Sequence, residues 1–183
     1  GYFTAAPAAF RGGIVLDPEM AIAHQWDDDH LRRNPFLAHS RDPFRRKLHD
    51  LYARLTGEQA TKECLGYLVK EILPTAGFEA VCIYTVDPTT KVLIPQLRMG
   101  STKLRKLSPV SLNEREDPVT TAFETSVPII EHVKKDGKDI TYLVWILGFS
   151  NRAGVLYAEM DYDRFAAPEV DYLAHFKALS KAF

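Results

Sequence analysis

Ile140-Thr-Tyr-Leu-Val-Trp-Ile-Leu-Gly-Phe149, the polar link Ser150-Asn-Arg-Ala153 and Gly154-Val-Leu-Tyr-Ala-Glu-Met160 decide the fold. Two runs rich in β-branched and aromatic residues, joined by a short turn-forming segment, read as adjacent antiparallel strands. In the first run one parity holds Leu143, Trp145, Leu147 and Phe149, and the other holds Tyr142, Val144 and Ile146. Successive strand residues face opposite sides, so this sheet is apolar on both faces and must be covered on both, by helices or by loops over a cavity.

Working outward, Phe78 to Val86 and Val92 to Leu97 flank the turn Asp87-Pro88-Thr89-Thr90 and form a second hairpin. A short strand over Val127 to Val133 leads into the turn Lys135-Asp136-Gly137-Lys138. Helices punctuate the strands. Phe44, Leu48, Leu51 and Leu55 recur at helical spacing behind Asp42-Pro43, and Leu65, Leu68, Val69, Ile72 and Leu73 share a face that ends at Pro74 and Gly77. Asp117-Pro118 opens a helix carrying Val119, Ala122 and Phe123, and Pro168 starts the last one. Helix, two strands, helix, one strand, two strands, helix is the order of an α+β domain on an antiparallel sheet. The pattern divides into an irregular extension over 1–41, a connector helix over 42–55 and a domain over 56–183.

The 183 residues are 46% hydrophobic and 26% charged with a formal net charge of -1, the composition of an ordinary globular protein with no global field to recruit nucleic acid or an anionic membrane. The longest apolar run, Tyr142 to Leu147, is too short to span a bilayer. Residues 1–10 lack a basic start and a continuous apolar stretch, so they do not read as a secretory signal, and the opening on Gly1 rather than Met fits a piece cut from a longer protein. Cys64 and Cys82, with no CxxC spacing, fit a reducing cytoplasm.

Four stretches together resemble a GAF domain, a small-molecule sensing module of signalling proteins. They are Ala76 to Asp87, running from a helix into the first strand; Asp117 to Ile130, a short helix, a small-polar turn and Val-Pro followed by two apolar residues; Ala153 to Glu159, a glycine-started strand; and Phe165 to Leu173, a phenylalanine, an acid and a leucine at the last helix. PAS domains share much of this architecture. The resemblance covers about residues 56–183 and implies a GAF/PAS-like central antiparallel sheet with the N- and C-terminal helices on one face and a pocket under loops on the other. It also implies a cytoplasmic, bacterial-type signalling protein in which ligand binding shifts a conformational population and the helices pass it to a neighbouring domain.

Tyr84, Gln96, Arg98, Trp145, Tyr157 and Glu159 are the candidates for polar or aromatic ligand contacts, against the alternative of packing or solvation. Leu48, Leu51, Leu55, Leu173 and Phe176 are the candidates for a homodimer interface, against packing within one chain. No catalytic residue, metal set or cofactor is specified: there is no GxGxxG, P-loop or GxSxG, and His24, His30, His39 and His49 match no ligand spacing. His132, at a strand end, reads as a polar tip. The basic loop Lys103-Leu104-Arg105-Lys106, after Arg98, could attract a phosphate or an acidic partner face, but Glu114, Glu116 and Asp117 follow and offset it. Two rival functions remain: a degenerate domain acting only through protein contacts, and a thiol-redox enzyme of the methionine sulfoxide reductase branch, for which two cysteines, one on a helix and one in a strand, are a poor supply.

Overall fold

The computed structural model describes residues 32–54, 64, 66–148 and 152–182. The chain divides into two units, Gly1–Arg33 and Asn34–Phe183, and every element from Pro35 onward belongs to the second. The expected extension up to residue 31, the start of the second helix with Leu65, the interface candidate Leu55, and Phe149 with the first two residues of the link after it lie outside the described residues.

A short 3-10 helix, Pro35–His39, precedes α1 (Phe44–Arg54). A π-helical stretch, Leu68–Ile72, runs into α2 (Leu73–Ala76), which ends at Gly77 with φ of 92°. Then come β1 (Ala80–Asp87), β2 (Val92–Met99), β3 (Val110–Ser111), α3 (Pro118–Thr125), β4 (Ile129–Lys135), β5 (Lys138–Leu147), β6 (Gly154–Asp161), α4 (Tyr162–Ala166) and α5 (Tyr172–Lys181). The strands form one six-stranded sheet in the order β3-β2-β1-β6-β5-β4, with every neighbouring pair antiparallel. The α+β class and the two hairpins stand as expected. Asp117 caps α3 as expected, its carboxylate accepting from the Val119 amide. The last helix begins later than Pro168 because Asp171 is the cap, accepting from the Ala174 amide at 2.9 Å.

Directly paired residues share a face of the sheet. Trp145 pairs with Leu156, whereas Val144 pairs with Tyr157 and Tyr142 with Glu159, so the two parities of β5 separate cleanly. The Trp145 face carries the helices other than α3. Phe44, Leu48, Leu51 and Phe176 are fully buried, Phe78 meets Phe176 edge-on at 5.9 Å, and each such side chain contributes about 1.5–3 kcal/mol by leaving water. Asn34 fastens the segment before α1 to this layer, donating to Tyr52 Oη at 2.9 Å and to the Ala178 carbonyl at 2.7 Å. His132 also lies on this face, 2.7 Å from Thr141 Oγ1 and against the rings of Tyr162 and Phe165.

Of the side chains expected at a subunit interface, Leu48, Leu51 and Phe176 are buried inside the single chain, and Leu173 is half-buried. Helical periodicity reports an apolar face but not which surface covers it. Here the helix layer and the sheet of the same chain cover three of the four described candidates.

His175 is a buried titratable group of this layer. Burial pushes its pKa below the ordinary 6.5, although its bond to Ala76 and the charge of Asp171 work the other way. Both ring nitrogens are used: one lies 2.9 Å from the Ala76 carbonyl and the other accepts from the Arg41 amide at 3.1 Å, while the ring stacks on Phe44 at 4.5 Å. Protonation would convert the acceptor nitrogen into a donor facing an N–H. The unfolded chain therefore binds the proton more readily than the folded one, and stability that is complete above pH 6.5 falls as pH drops from there toward the lowered folded-state value. Urea unfolding of wild type and His175→Gln across this range checks it: wild type loses stability on acidification and the variant loses less. Identical pH profiles would remove His175 as the source.

Candidate functional site

The second face of the sheet is covered by α3 and by the segment from Gly100 to Pro109. Cys82, Tyr84, Val144, Val155 and Tyr157 form its buried floor, with Leu93, Val110, Val119 and Ala122 completing the cluster and Leu107 and Phe123 packed against it. The 100–109 segment has no helix or strand, and its course is set by polar anchors. Gly100, at φ of 72°, turns the chain away from β2 so closely that a Cβ there would sit 2.1 Å from the Glu79 carbonyl oxygen. Glu159, only 2% exposed, receives the Lys103 amide at 2.6 Å on one carboxylate oxygen. Its other oxygen accepts from the Leu104 amide at 3.1 Å and from Tyr157 Oη at 2.6 Å. Thr102 Oγ1 donates to the Arg105 carbonyl at 2.7 Å and tightens the turn.

From this turn Arg105 points inward. Its guanidinium lies 5.7 Å from the Tyr84 ring centre and 5.5 Å from that of Tyr157, within cation–π range. It also forms a two-pronged pair with Asp117 at 2.9 and 2.8 Å. Asp117 thus caps α3 and holds the loop at once. Burial works against the Arg105 charge, but the Asp117 hydrogen bonds and the surrounding electron-rich groups outweigh it and raise the pKa. Burial pushes the Tyr84 hydroxyl up to about 12, against the opposing influence of Arg105. Burial and then the Glu159 hydrogen bond push Tyr157 well above the ordinary tyrosine range. All three groups therefore keep their protons at neutral pH. Tyr84 Oη and Arg105 Nε are buried without a hydrogen-bond partner of acceptable geometry, although the arginine is near enough to act on the hydroxyl.

Outside the loop lies an open cleft of about 840 Å³ lined by Arg98, Lys103, Arg105, Lys106 and Lys135 among others. A smaller cavity of about 300 Å³ adjoins it at Lys103, Lys135, Asp136 and Lys138. Of the residues expected to contact a ligand, Tyr84, Tyr157 and Glu159 come together beneath the loop, and Arg98 stands on the same face, opposite Cys82, where it lines the cleft. Gln96 is the extra residue where the register shifts between Ile83, opposite Leu97, and Tyr84, opposite Pro95; it is exposed. Trp145 lies on the helix face, its ring 6.1 Å from that of Phe36 and its Nε1 donating to the Ser126 carbonyl at 2.9 Å. It is away from the Tyr84 and Tyr157 cluster. The sequence reading placed Arg105 in a basic loop that could attract a phosphate, but missed its pairing with Asp117 and the part played by Lys135. The Arg105 and Asp117 charges are visible in sequence, but their pairing depends on a loop path set by Glu159.

The thiol on this face is not poised for chemistry. Burial pushes Cys82 up to about 11 despite the opposing influence of Arg105, and a thiol that stays protonated is a poor nucleophile. Cys64 is also buried. Neither is expected to react with iodoacetamide in the native protein at pH 7.5 on the timescale of a free thiol, whereas both should react in urea; rapid native labelling detected by mass spectrometry would overturn this.

No family model matches the sequence, and no curated protein matches it. Solved structures do match, and they place the chain among GAF-type folds: α+β domains built from a curled antiparallel sheet with helices. The GAF domain from Acinetobacter phosphoenolpyruvate-protein phosphotransferase superposes with a TM-score of 0.51 at 12% identity, covering 76% of this chain and 89% of that one. The corresponding GAF domain from Coxiella burnetii gives 0.51 at 12% identity, covering 76% and 90%. Free methionine-R-sulfoxide reductase from Neisseria meningitidis, solved with its substrate, gives 0.51 at 15% identity, covering 76% and 84%.

Proposed function

We propose that this chain is a non-catalytic sensory or regulatory domain of a larger cytoplasmic signalling protein, which binds a small molecule on the loop-covered face of its sheet. The observation that carries the reading is the polar cluster beneath the 100–109 loop. Tyr84 Oη and Arg105 Nε lie buried there without a hydrogen bond of acceptable geometry, beside a cleft of small-molecule size. Buried unsatisfied groups are uncommon in folded proteins and mark places where something besides packing is selected. The loop ties β6 to α3 through Glu159 and Asp117. A ligand that moves the loop therefore acts on the central sheet and on a helix end together, which is the coupling a regulatory domain needs.

A second reading, a module that acts through protein contacts alone, is favoured by one observation: the protein's own Arg105 lies against the rings of both Tyr84 and Tyr157, where a ligand's charged group would otherwise sit. The redox branch of the fold is the least supported, since both described cysteines are buried and the one beside the site is held in its thiol form.

Native mass spectrometry of freshly purified protein separates the readings, because one spectrum gives both subunit count and retained mass. A dimer carrying a small molecule is the expected result. Empty protein, combined with no chemical-shift change at the 100–109 loop across a metabolite panel, would transfer the assignment to the contact module. If subunits pair, they do so through surfaces that leave Leu48, Leu51 and Phe176 in the subunit core.

A further inference from the structure

We infer that the cleft bounded by Arg98, Lys106 and Lys135 is a binding site for a small, multiply charged oxyanion, a compound carrying two or more phosphate or carboxylate groups. The inference rests on the sensory reading above and names the chemical class of its ligand.

The charge balance of the cleft is the first observation. Five basic side chains line it. Two have acidic partners: Arg105 with Asp117 at 2.8 Å, and Lys103 with Glu79 at 3.9 Å. Arg98 and Lys106 are exposed and have no ion-pair partner among the described residues. Lys135 reaches in from the β4–β5 hairpin and donates to the carbonyl of Lys103, a neutral acceptor that leaves its charge uncompensated. Three uncancelled cations thus converge on one concave surface, in a chain whose overall net charge is -1. Like charges gathered in a cleft repel one another and focus a field that draws anions.

Rigidity is the second. A basic loop that is merely solvated has no need of internal anchors, but this one is fixed from beneath by Glu159, which grips the Lys103 and Leu104 amides, and by the Asp117 pair. Its inner charges are consumed by those anchors and its outer ones are left over. The cations are therefore presented on a braced frame, and less ordering is required when a ligand arrives.

Size and surroundings select a small ligand. The volume of about 840 Å³ lies in the range of small-molecule pockets. Glu79 pairs at one side of the cleft and Asp136 lines the adjoining cavity, so acidic groups interrupt the path that an extended polyanion such as a nucleic acid would follow. A single negative charge would leave two of the three cations unmatched, which favours a ligand with several.

The test is isothermal titration calorimetry of the full chain with inorganic pyrophosphate and, separately, citrate, at low and near-physiological salt. Wild type is compared with Arg98→Ala/Lys106→Ala and with the charge-matched surface control Lys70→Ala/Arg115→Ala. One ligand per chain is expected, weakening as salt rises, with affinity reduced about tenfold or more in the cleft variant and little changed in the control. Preference for pyrophosphate or for citrate distinguishes phosphate from carboxylate ligands within the class. Equal weakening in cleft variant and control would reveal diffuse screening and overturn the site, as would absence of binding by both anions. Retention of a neutral or cationic small molecule in the native mass spectrum, with no anion binding, would overturn the ligand class and leave the sensory reading standing. Anion binding with no amide-shift change in β6, α3 or the terminal helices would sustain the site and overturn the sensory reading.

Discussion

Alanine at position 154 is expected to prevent folding. Gly154 opens β6, where it lies between Thr85 of β1 and Leu147 of β5. A Cβ added there would fall 1.9 Å from the Tyr84 carbonyl oxygen and 3.0 Å from its carbon. The obstruction is backbone of the central strand, which cannot rotate aside as a side chain would. Relief requires β1 and β6 to separate where Tyr84 and Val155 pair, and both are fully buried. Overpacking a core by a methylene commonly costs about 1–3 kcal/mol with side-chain adjustment. Separating two central strands exceeds that, and a loss of roughly 5 kcal/mol consumes most of an ordinary domain's stability. Expression of Gly154→Ala should give insoluble protein or a chain lacking cooperative thermal unfolding. A soluble variant melting within a few degrees of wild type would show that the two strands tolerate a methyl group between them.

The second large effect is expected at Glu159. Glu159→Ala removes the acceptor of the Lys103 amide, the Leu104 amide and the Tyr157 hydroxyl together. A buried donor without a partner costs about 1–3 kcal/mol. Partial recovery of water by the loop brings the expected total to about 3 kcal/mol, with Glu159→Gln losing less because its amide oxygen still accepts. Urea unfolding measures the stability, and hydrogen exchange locates it: Lys103 and Leu104 amides lose protection before the rest of the sheet. A loss under about 1 kcal/mol with the loop amides still protected would mean that the carboxylate does not anchor the loop.

These two positions also show how far the sequence can be read. Gly154 is marked by its place at the head of a strand, and the strand pairing follows from the alternation in Ile140 to Met160. Asp117-Pro118 announces its helix because a capping acid and a proline at the first helical position act locally. What escapes the sequence is of two kinds. Trp145 and Tyr157 both belong to strands apolar on both parities, so period alone cannot say which parity meets helices; the register supplies that. The helix leucines are ambiguous for a related reason, since an apolar stripe is equally satisfied by a second subunit and by the sheet of its own chain. The loop escapes because its structure is made by long-range polar contacts: Glu159 lies 56 residues from Lys103 in sequence. A charge run with acids close behind it reads as solvated surface, and only the fold reveals that one of those acids, Asp117, turns inward to meet Arg105.

The placement of Trp145 carries a practical consequence. Its indole N–H is bonded to the carbonyl of Ser126, the residue that closes α3 in a left-handed conformation with φ of 56°, while Lys177 of α5 lies 5.9 Å from its ring centre. One fluorophore thus touches the helix of the loop-covered side and the last helix of the opposite side. With Trp26, the other tryptophan of the chain, replaced by phenylalanine, its emission becomes an optical gauge read across the thickness of the sheet: a displacement of α3 alters the indole's hydrogen bond, and a displacement of α5 alters the charge beside its ring.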